Sequence, residues 1–547
     1  MKNLDLANCS DTPIAEIVKI GSTDRKKEIE DSLPIEIRSA FQKRTYWIHD
    51  MEYYYSAYNC IGINPSDLIG TSTDITFSHA CRELVRGIIE LTNSQSGGIG
   101  IIDFDSDLGK YVHNESDETL TSILYELILD MNMFVRKGCE MPYVTFNFGL
   151  CINQNGRRVA KALLHAYSMK QFVFPNLVFK LRKGINTMPC DVNYDIYCLA
   201  SEVTSTCMNP TYLNTDASYN RDIPFNEFGI MGCRTRIASN RFHSPSSIKR
   251  GNIAAVTINL VQLAIESNKS DLQFMELINE TMQKAKAQLL HRYKNLIKQG
   301  YFQLLKNKSL YVDCNKNVQS MMRNGTLSIG FIGLWDALSV LHVVDFDTAE
   351  KIKENYEYAY NIIKIMRNNV DEYSNEENLN FSLLASSAEG VSGFLLQYDS
   401  KYYPHNRVFD RGFYGNSFHI PVDCKVDCFE KIDFEAPFHQ LCNGGHITYV
   451  ELQEVPFGNS EAIRELVDYA CNKDIGYFGI NFPLDICRAC GAKGMFSENC
   501  IQCGSSDIQK LRRVSGYLSE INNFTIGKTN ELFHRIAHIG NTSLFDM

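Results

Sequence analysis

Proline is scarce, 14 in 547 residues, and neither short repeats nor low-complexity tracts occur. Solenoids and long disordered tails are therefore not expected. Positive charge is also in short supply: 54 Lys and Arg against 64 Asp and Glu leave a net −10. This argues against nonspecific binding of nucleic acid, which needs many cations to displace counterions from phosphates. A pocket can still be locally basic, so small anionic ligands stay open. Residues 1–20 have no apolar signal core and carry Asp5, Asp11 and Glu16, so a reducing, cytoplasmic setting is expected. The longest apolar stretch, Thr326 to Val344, approaches membrane-spanning length but holds Asp336, Gly330 and Gly333. It reads as a buried segment, and no membrane association is expected.

What is present is material for a large core: 44% hydrophobic and 11% aromatic residues. Asp271 to Gln299 places Phe274, Leu277, Ile278, Met282, Ala285, Leu289, Tyr293 and Leu296 on one stripe, which predicts a long helix with Asp271 as its cap and Gly300 as its stop. Thr348 to Met366 and Glu461 to Asn472 have the same character. Tyr143 to Gly149, Ala255 to Leu260 and His446 to Glu451 cluster β-formers and predict strands. Strands separated by long helices imply an α/β core, with a barrel as one form of it. A division is expected near residue 455, giving a catalytic unit over 1–455 and a C-terminal module over 456–547.

Cysteine is abundant, 18 in all. Four of them carry the strongest local signal: Cys487 and Cys490, nine residues, then Cys500 and Cys503. Two tight CxxC turns supply the tetrahedral sulfur set of a structural Zn²⁺ and leave no open coordination position. Gly491, Gly494 and Gly504 stand where such turns need a permissive backbone. Most of the remaining thiols read as small buried hydrophobes, Cys424, Cys428 and Cys442 included.

Beyond the four cysteines comes Arg513-Val514-Ser515-Gly516-Tyr517-Leu518. This segment resembles the glycyl-radical signature RVxGY, in which the glycine α-carbon stores an unpaired electron. Together with the tetracysteine ribbon it resembles the anaerobic, class III ribonucleoside-triphosphate reductases. Other segments agree in family order: Ile48-His49-Asp50 with Asn59-Cys60, Met231-Gly232-Cys233-Arg234, Arg250-Gly251-Asn252, Ala388-Glu389-Gly390, Asn416 to Val422 and Gly445-His446-Ile447. The resemblance implies a ten-stranded α/β barrel with a cysteine finger loop. It implies Gly516 as the radical store, Cys233 as the transient thiyl, Cys60 as the reducing thiol on the opposite face, and Asn252 as a substrate-positioning residue. It further implies ribonucleoside triphosphates as substrates, nucleotide effectors, a homodimer, and formate or a small redoxin as reductant. The chain lacks a CxxxCxxC motif, so a separate radical-SAM activase with a 4Fe–4S cluster and S-adenosylmethionine would install the radical in an oxygen-free cytoplasm.

Departures from the family pattern include Ser519 for a second glycine, Ser515 for a frequent cysteine, Gly97-Gly98-Ile99-Gly100 for GGQS, and His49-Asp50 too early for a preceding ATP-cone. Two other readings stay open: a glycyl radical lyase acting on acyl or diol substrates, and an inactive zinc-ribbon paralogue. Under the second, Gly516 is a turn residue, Cys60 and Cys233 are core thiols, Asn252 ends a strand, and His419 and His446 are core histidines.

Overall fold

The structure is a computed structural model, and it describes residues 10, 12–70 and 72–538. Ten strands form its centre. In chain order they are β1 (Ile61–Ile63), β2 (Ile99–Ile101), β3 (Val144–Phe148), β4 (Asn176–Leu181), β5 (Thr211–Asn214), β6 (Asn252–Asn259), β7 (Thr326–Ile332), β8 (Asn380–Ala385), β9 (Thr448–Glu451) and β10 (Tyr477–Asn481). Strands β1 to β5 pair in parallel, as do β6 to β8 and β9 with β10. The halves meet antiparallel between β5 and β10. A parallel bridge, Leu384 with Gly445, links β8 to the approach to β9, and an antiparallel bridge, Gly62 with Arg250, joins β1 to the approach to β6. The ring is thus closed, which removes the unpaired edges an open sheet would leave.

Helices return the chain between parallel strands and cover the outside. The stripe on Asp271–Gln299 is buried as its spacing requires, Leu277 only partly, and Gly300 ends the helix. The cap is Ser270, whose hydroxyl accepts the Gln273 N–H, because Asp271 already lies within the first turn. The long apolar stretch divides into β7 and the helix Leu334–His342, joined at Gly333 in the left-handed region at φ +71°. Among the described residues no helix is long and apolar enough to cross a membrane.

Residues 460–481 were grouped by sequence with the C-terminal module. They supply the helix Ser460–Asn472 and strand β10, which is hydrogen-bonded within the barrel ring. The separate small sheet begins only at Leu484. Its antiparallel order is Lys493–Gly494, Leu484–Cys487, Ile508–Arg513 and Leu518–Glu520.

Candidate active site

Between β5 and β6 the chain enters the barrel as a narrow hairpin, Ile230–Met231 paired with Thr235–Arg236, and Cys233 stands in its turn. Strand β3 holds this finger from below. The Asn147 carboxamide bonds both backbone groups of Ile230, and the Thr145 hydroxyl donates to the Gly232 carbonyl at 2.7 Å. Close approach sets the local sequence. A Cβ on Gly98 would lie 2.8 Å from the Gly232 Cα, and one on Gly100 would lie 2.8 Å from the Ile230 carbonyl oxygen. The buried Arg234 guanidinium donates to the carbonyls of Ala385 and Ser515, so the finger is tied to the far half of the barrel and to the C-terminal module.

That module delivers the second element. Arg513 pairs with Leu518, so Val514 to Tyr517 is the four-residue tip of a hairpin, and buried Gly516 sits in it. A side chain on Gly516 would overlap the Glu389 carboxylate, and its Cβ would stand 3.6 Å from the Cys233 Cβ. Buried cations fix the tip: Arg535 donates to the Val514 carbonyl at 2.7 Å, and Arg513 to the Met208 carbonyl at 3.0 Å. Tyr517 stacks on Tyr143 with centroids 5.2 Å apart, and the Arg136 guanidinium lies 4.5 Å over the other ring of that column. Ser519 lies in the returning strand opposite Arg512, in extended backbone that does not call for glycine.

Cys60 and Cys233 line one cavity of about 260 Å³, together with His49, Asp50, Asn59, Gly98, Glu389 and Tyr517. Cys60 immediately precedes β1, its Sγ is 3.9 Å from the Met231 Sδ, and burial pushes its thiol up to about 12. It therefore stays protonated at neutral pH and suits hydrogen-atom donation. Burial would raise the Asp50 carboxyl, but the Arg292 charge and hydrogen bonds from Ser96 and Asn59 hold it below the usual carboxylate range. Burial lowers His49, whose Nε2 pairs with the Thr257 hydroxyl at 2.7 Å.

Asn252 is brought beside Cys60 but not onto the cavity wall. Its carboxamide donates to the hydroxyls of Thr326 and Ser328 at 3.0 and 2.5 Å, and its backbone N–H donates to the Cys60 Sγ at 3.3 Å. His419 and His446 lie away from this cavity, bonded to Glu435 and to the Cys442 carbonyl. Sequence reasoning singled out no role for Thr145, Asn147, Tyr143 or Lys528. The polar alternation of Thr145 and Asn147 within YVTFNFG was the available signal for the first two.

In the small sheet, the Sγ atoms of Cys487, Cys490, Cys500 and Cys503 all lie within 4.8 Å of one another. Cys487 and Cys503 are 3.5 Å apart, Cys490 and Cys500 3.6 Å. A tetrahedral zinc–thiolate site has sulfur edges of about 3.8 Å, so the four residues fit that ion. Each knuckle closes in the same way: Gly491 and Gly504, at φ +76° and +75°, donate their N–H to the carbonyls of Cys487 and Cys500. Gly494 instead pairs in the sheet with Asp485.

A closed barrel of two antiparallel-joined halves, threaded by a cysteine finger that meets a C-terminal glycine hairpin, defines an anaerobic ribonucleotide reductase-type fold. The crystal structure of the anaerobic ribonucleotide reductase from Thermotoga maritima in complex with dATP and CTP superposes with a TM-score of 0.73 at 15% identity, over 95% of this chain and 92% of that one. The sequence model of the anaerobic ribonucleoside-triphosphate reductase family matches residues 5–538, and the chain belongs to that family. The anaerobic ribonucleoside-triphosphate reductase of Escherichia coli (strain K12) is 30% identical over 465 residues, covering 80% of this chain and 64% of its own length. The corresponding enzyme of Enterobacteria phage T4 is 29% identical over 467 residues, covering 79% of this chain and 74% of its own.

Proposed function

We propose that the chain reduces ribonucleoside triphosphates to 2′-deoxyribonucleoside triphosphates for DNA synthesis, by radical chemistry passed from Gly516 to Cys233. The observation that carries this reading is the packing of the Gly516 hairpin tip against Cys233 at a cavity whose wall also holds the protonated Cys60. Glycine suits the store because a radical at its α-carbon must flatten between amide nitrogen and carbonyl, which a side chain hinders. Cys233 then removes the ribose 3′ hydrogen atom, the 2′ hydroxyl gains a proton and leaves as water, and Cys60 gives a hydrogen atom to C2′. The external reductant restores the Cys60 hydrogen and supplies one further electron with a proton to the sugar, and Cys233 returns its hydrogen atom to C3′. Most of the protein's contribution is holding these groups in line and keeping water and oxygen out.

Asn252 serves this scheme through Cys60, whose sulfur accepts its backbone N–H. Its carboxamide Nδ2 is held by Thr326 and Ser328, while its Oδ1 has no partner among the described residues and is left to accept from a sugar hydroxyl. Zinc, held by the four cysteines, supplies no chemistry; it shapes the sheet that carries the hairpin. A radical-SAM activase installs the radical, formate or a small redoxin supplies the electrons, nucleotides act as effectors, and the working unit is a homodimer in an oxygen-free cytoplasm. The test is anaerobic incubation with the cognate activase, S-adenosylmethionine and CTP. A doublet EPR signal and dCTP are expected in wild type, with neither in Gly516→Ala. In Cys233→Ala the doublet is expected without dCTP, and dCTP from that variant sinks the assignment.

A further inference from the structure

We propose that Glu389 is a positioning residue that seats Gly516 against Cys233, an inference resting on the reading above. Glu389 follows β8 and precedes the helix Val391–Tyr402, and it lines the cavity. Its Oε1 accepts the Tyr517 N–H at 3.2 Å, and the same oxygen fills the space where a Gly516 side chain would go. Its Oε2 accepts from the Lys528 ammonium at 2.7 Å. Lys528 is 2% exposed, on the helix Ile526–His534, and among the described residues Glu389 is its one acidic partner. One carboxylate thus grips the C-terminal module twice, once at the hairpin tip and once on the helix that follows it. A second contact supports the same docking: a Cβ on Gly393 would lie 2.7 Å from the Gly527 Cα, so these helices meet backbone to backbone.

The grip has a direct bearing on hydrogen transfer. The Cα–H of Gly516 that occupies the side-chain position points between Glu389 and Cys233. When the radical passes, the Cys233 S–H bond breaks, the Gly516 C–H bond forms, and the unpaired electron moves to sulfur. The carboxylate exchanges neither proton nor electron. Such a transfer falls steeply with misplacement of even an ångström, and Glu389 fixes the hairpin at its tip.

The experiment compares wild type with Glu389→Ala/Lys528→Met, which removes the carboxylate without stranding a buried cation, and with Glu389→Gln/Lys528→Met, which keeps an acceptor for the Tyr517 N–H. Zinc content and melting temperature verify folding. Radical spins per chain, dCTP formed per spin, and the rate at which the α-hydrogen doublet collapses in D₂O are then read. That collapse reports exchange, since a Cys233 S–D returns deuterium to Gly516. Spins per chain should stay near wild type. In the alanine variant turnover per spin and collapse rate should both fall at least tenfold, and the glutamine variant should recover most of each. Rates within twofold of wild type in the alanine variant overturn the proposal. So does a folded, zinc-loaded alanine variant that takes up no radical, which would move the role of Glu389 to radical installation. If wild type shows the doublet but makes no dCTP, the reductase reading fails while the collapse rate still tests Glu389; if it shows no doublet, the radical reading itself fails.

Discussion

The carboxamide of Asn147 grips Ile230 at two points, its Nδ2 donating to the Ile230 carbonyl at 2.9 Å and its Oδ1 accepting the Ile230 N–H at 2.8 Å. This is a side chain imitating a strand neighbour, and it holds the finger three residues before Cys233. Asn147→Leu removes both bonds, together with the one its Nδ2 gives the Ile101 carbonyl, and leaves the two buried backbone groups of Ile230 without this partner, at about 1–3 kcal/mol each. The barrel should fold with zinc bound, while dCTP formed per radical spin falls at least tenfold. EPR spin counting beside the product assay checks this.

Cys60 should behave as a thiol throughout the neutral range. Burial pushes it up to about 12, so between pH 6 and 9 its ionisation should impose no alkaline limb on turnover. Brief alkylation of the native protein at pH 8 should modify exposed Cys190 and spare Cys60. Peptide mapping distinguishes them, and rapid labelling of Cys60 contradicts its buried placement.

Removal of metal should disable the hairpin while sparing the barrel. Cys487 ends the strand that pairs directly with Ile508–Arg513, the arm leading to Gly516. Cys490→Ser, or a strong chelator, should abolish turnover and lower radical yield. The main melting transition should persist, because the ten strands lie outside the small sheet. Metal analysis should give about one zinc per chain in wild type, as four thiolates bind one ion.

Acid should weaken the fold through buried histidines. Burial, with the Arg236 charge, pushes His446 down to about 3, against about 6.5 in an unfolded chain. The unfolded state therefore takes up a proton that the folded state refuses. Stability from this group is complete above pH 6.5 and is lost as pH falls towards 3, at up to about 1.4 kcal/mol per pH unit. His439 and His538, also buried and lowered, act in the same direction. Urea midpoints at pH 7 and 5 should show the loss, and His446→Gln should shrink the difference between them.

Local chemistry was the most legible part of the sequence. The two CxxC turns carry their ligand geometry within a few residues, and both φ-positive glycines stand where the spacing expects them. The long helix over 271–299 was legible because its stripe faces one surface throughout. The direction of the Asn252 carboxamide was not, since Thr326 and Ser328, more than seventy residues away, decide it. Strand β10 was misgrouped for a similar reason: its neighbour β5 comes from a distant part of the chain, its other neighbour β9 lies just across the division expected near residue 455, and nothing in Tyr477–Asn481 names them. Glu389 was visible only as part of a motif, because its partners Tyr517 and Lys528 become neighbours through the docking of the last module.

The ring of ten strands contributes walls, but none of the three groups proposed to react stands on a strand. Cys60 comes just before the first strand, Cys233 from the crossing between halves, and Gly516 from beyond the last. No contiguous fragment shorter than the span from 60 to 516 contains all three, so the centre exists only once both halves and the module have come together. On the proposed chemistry, a chain in which either half or the module has not docked brings no thiol and glycine together, so turnover would report assembly as well as reaction.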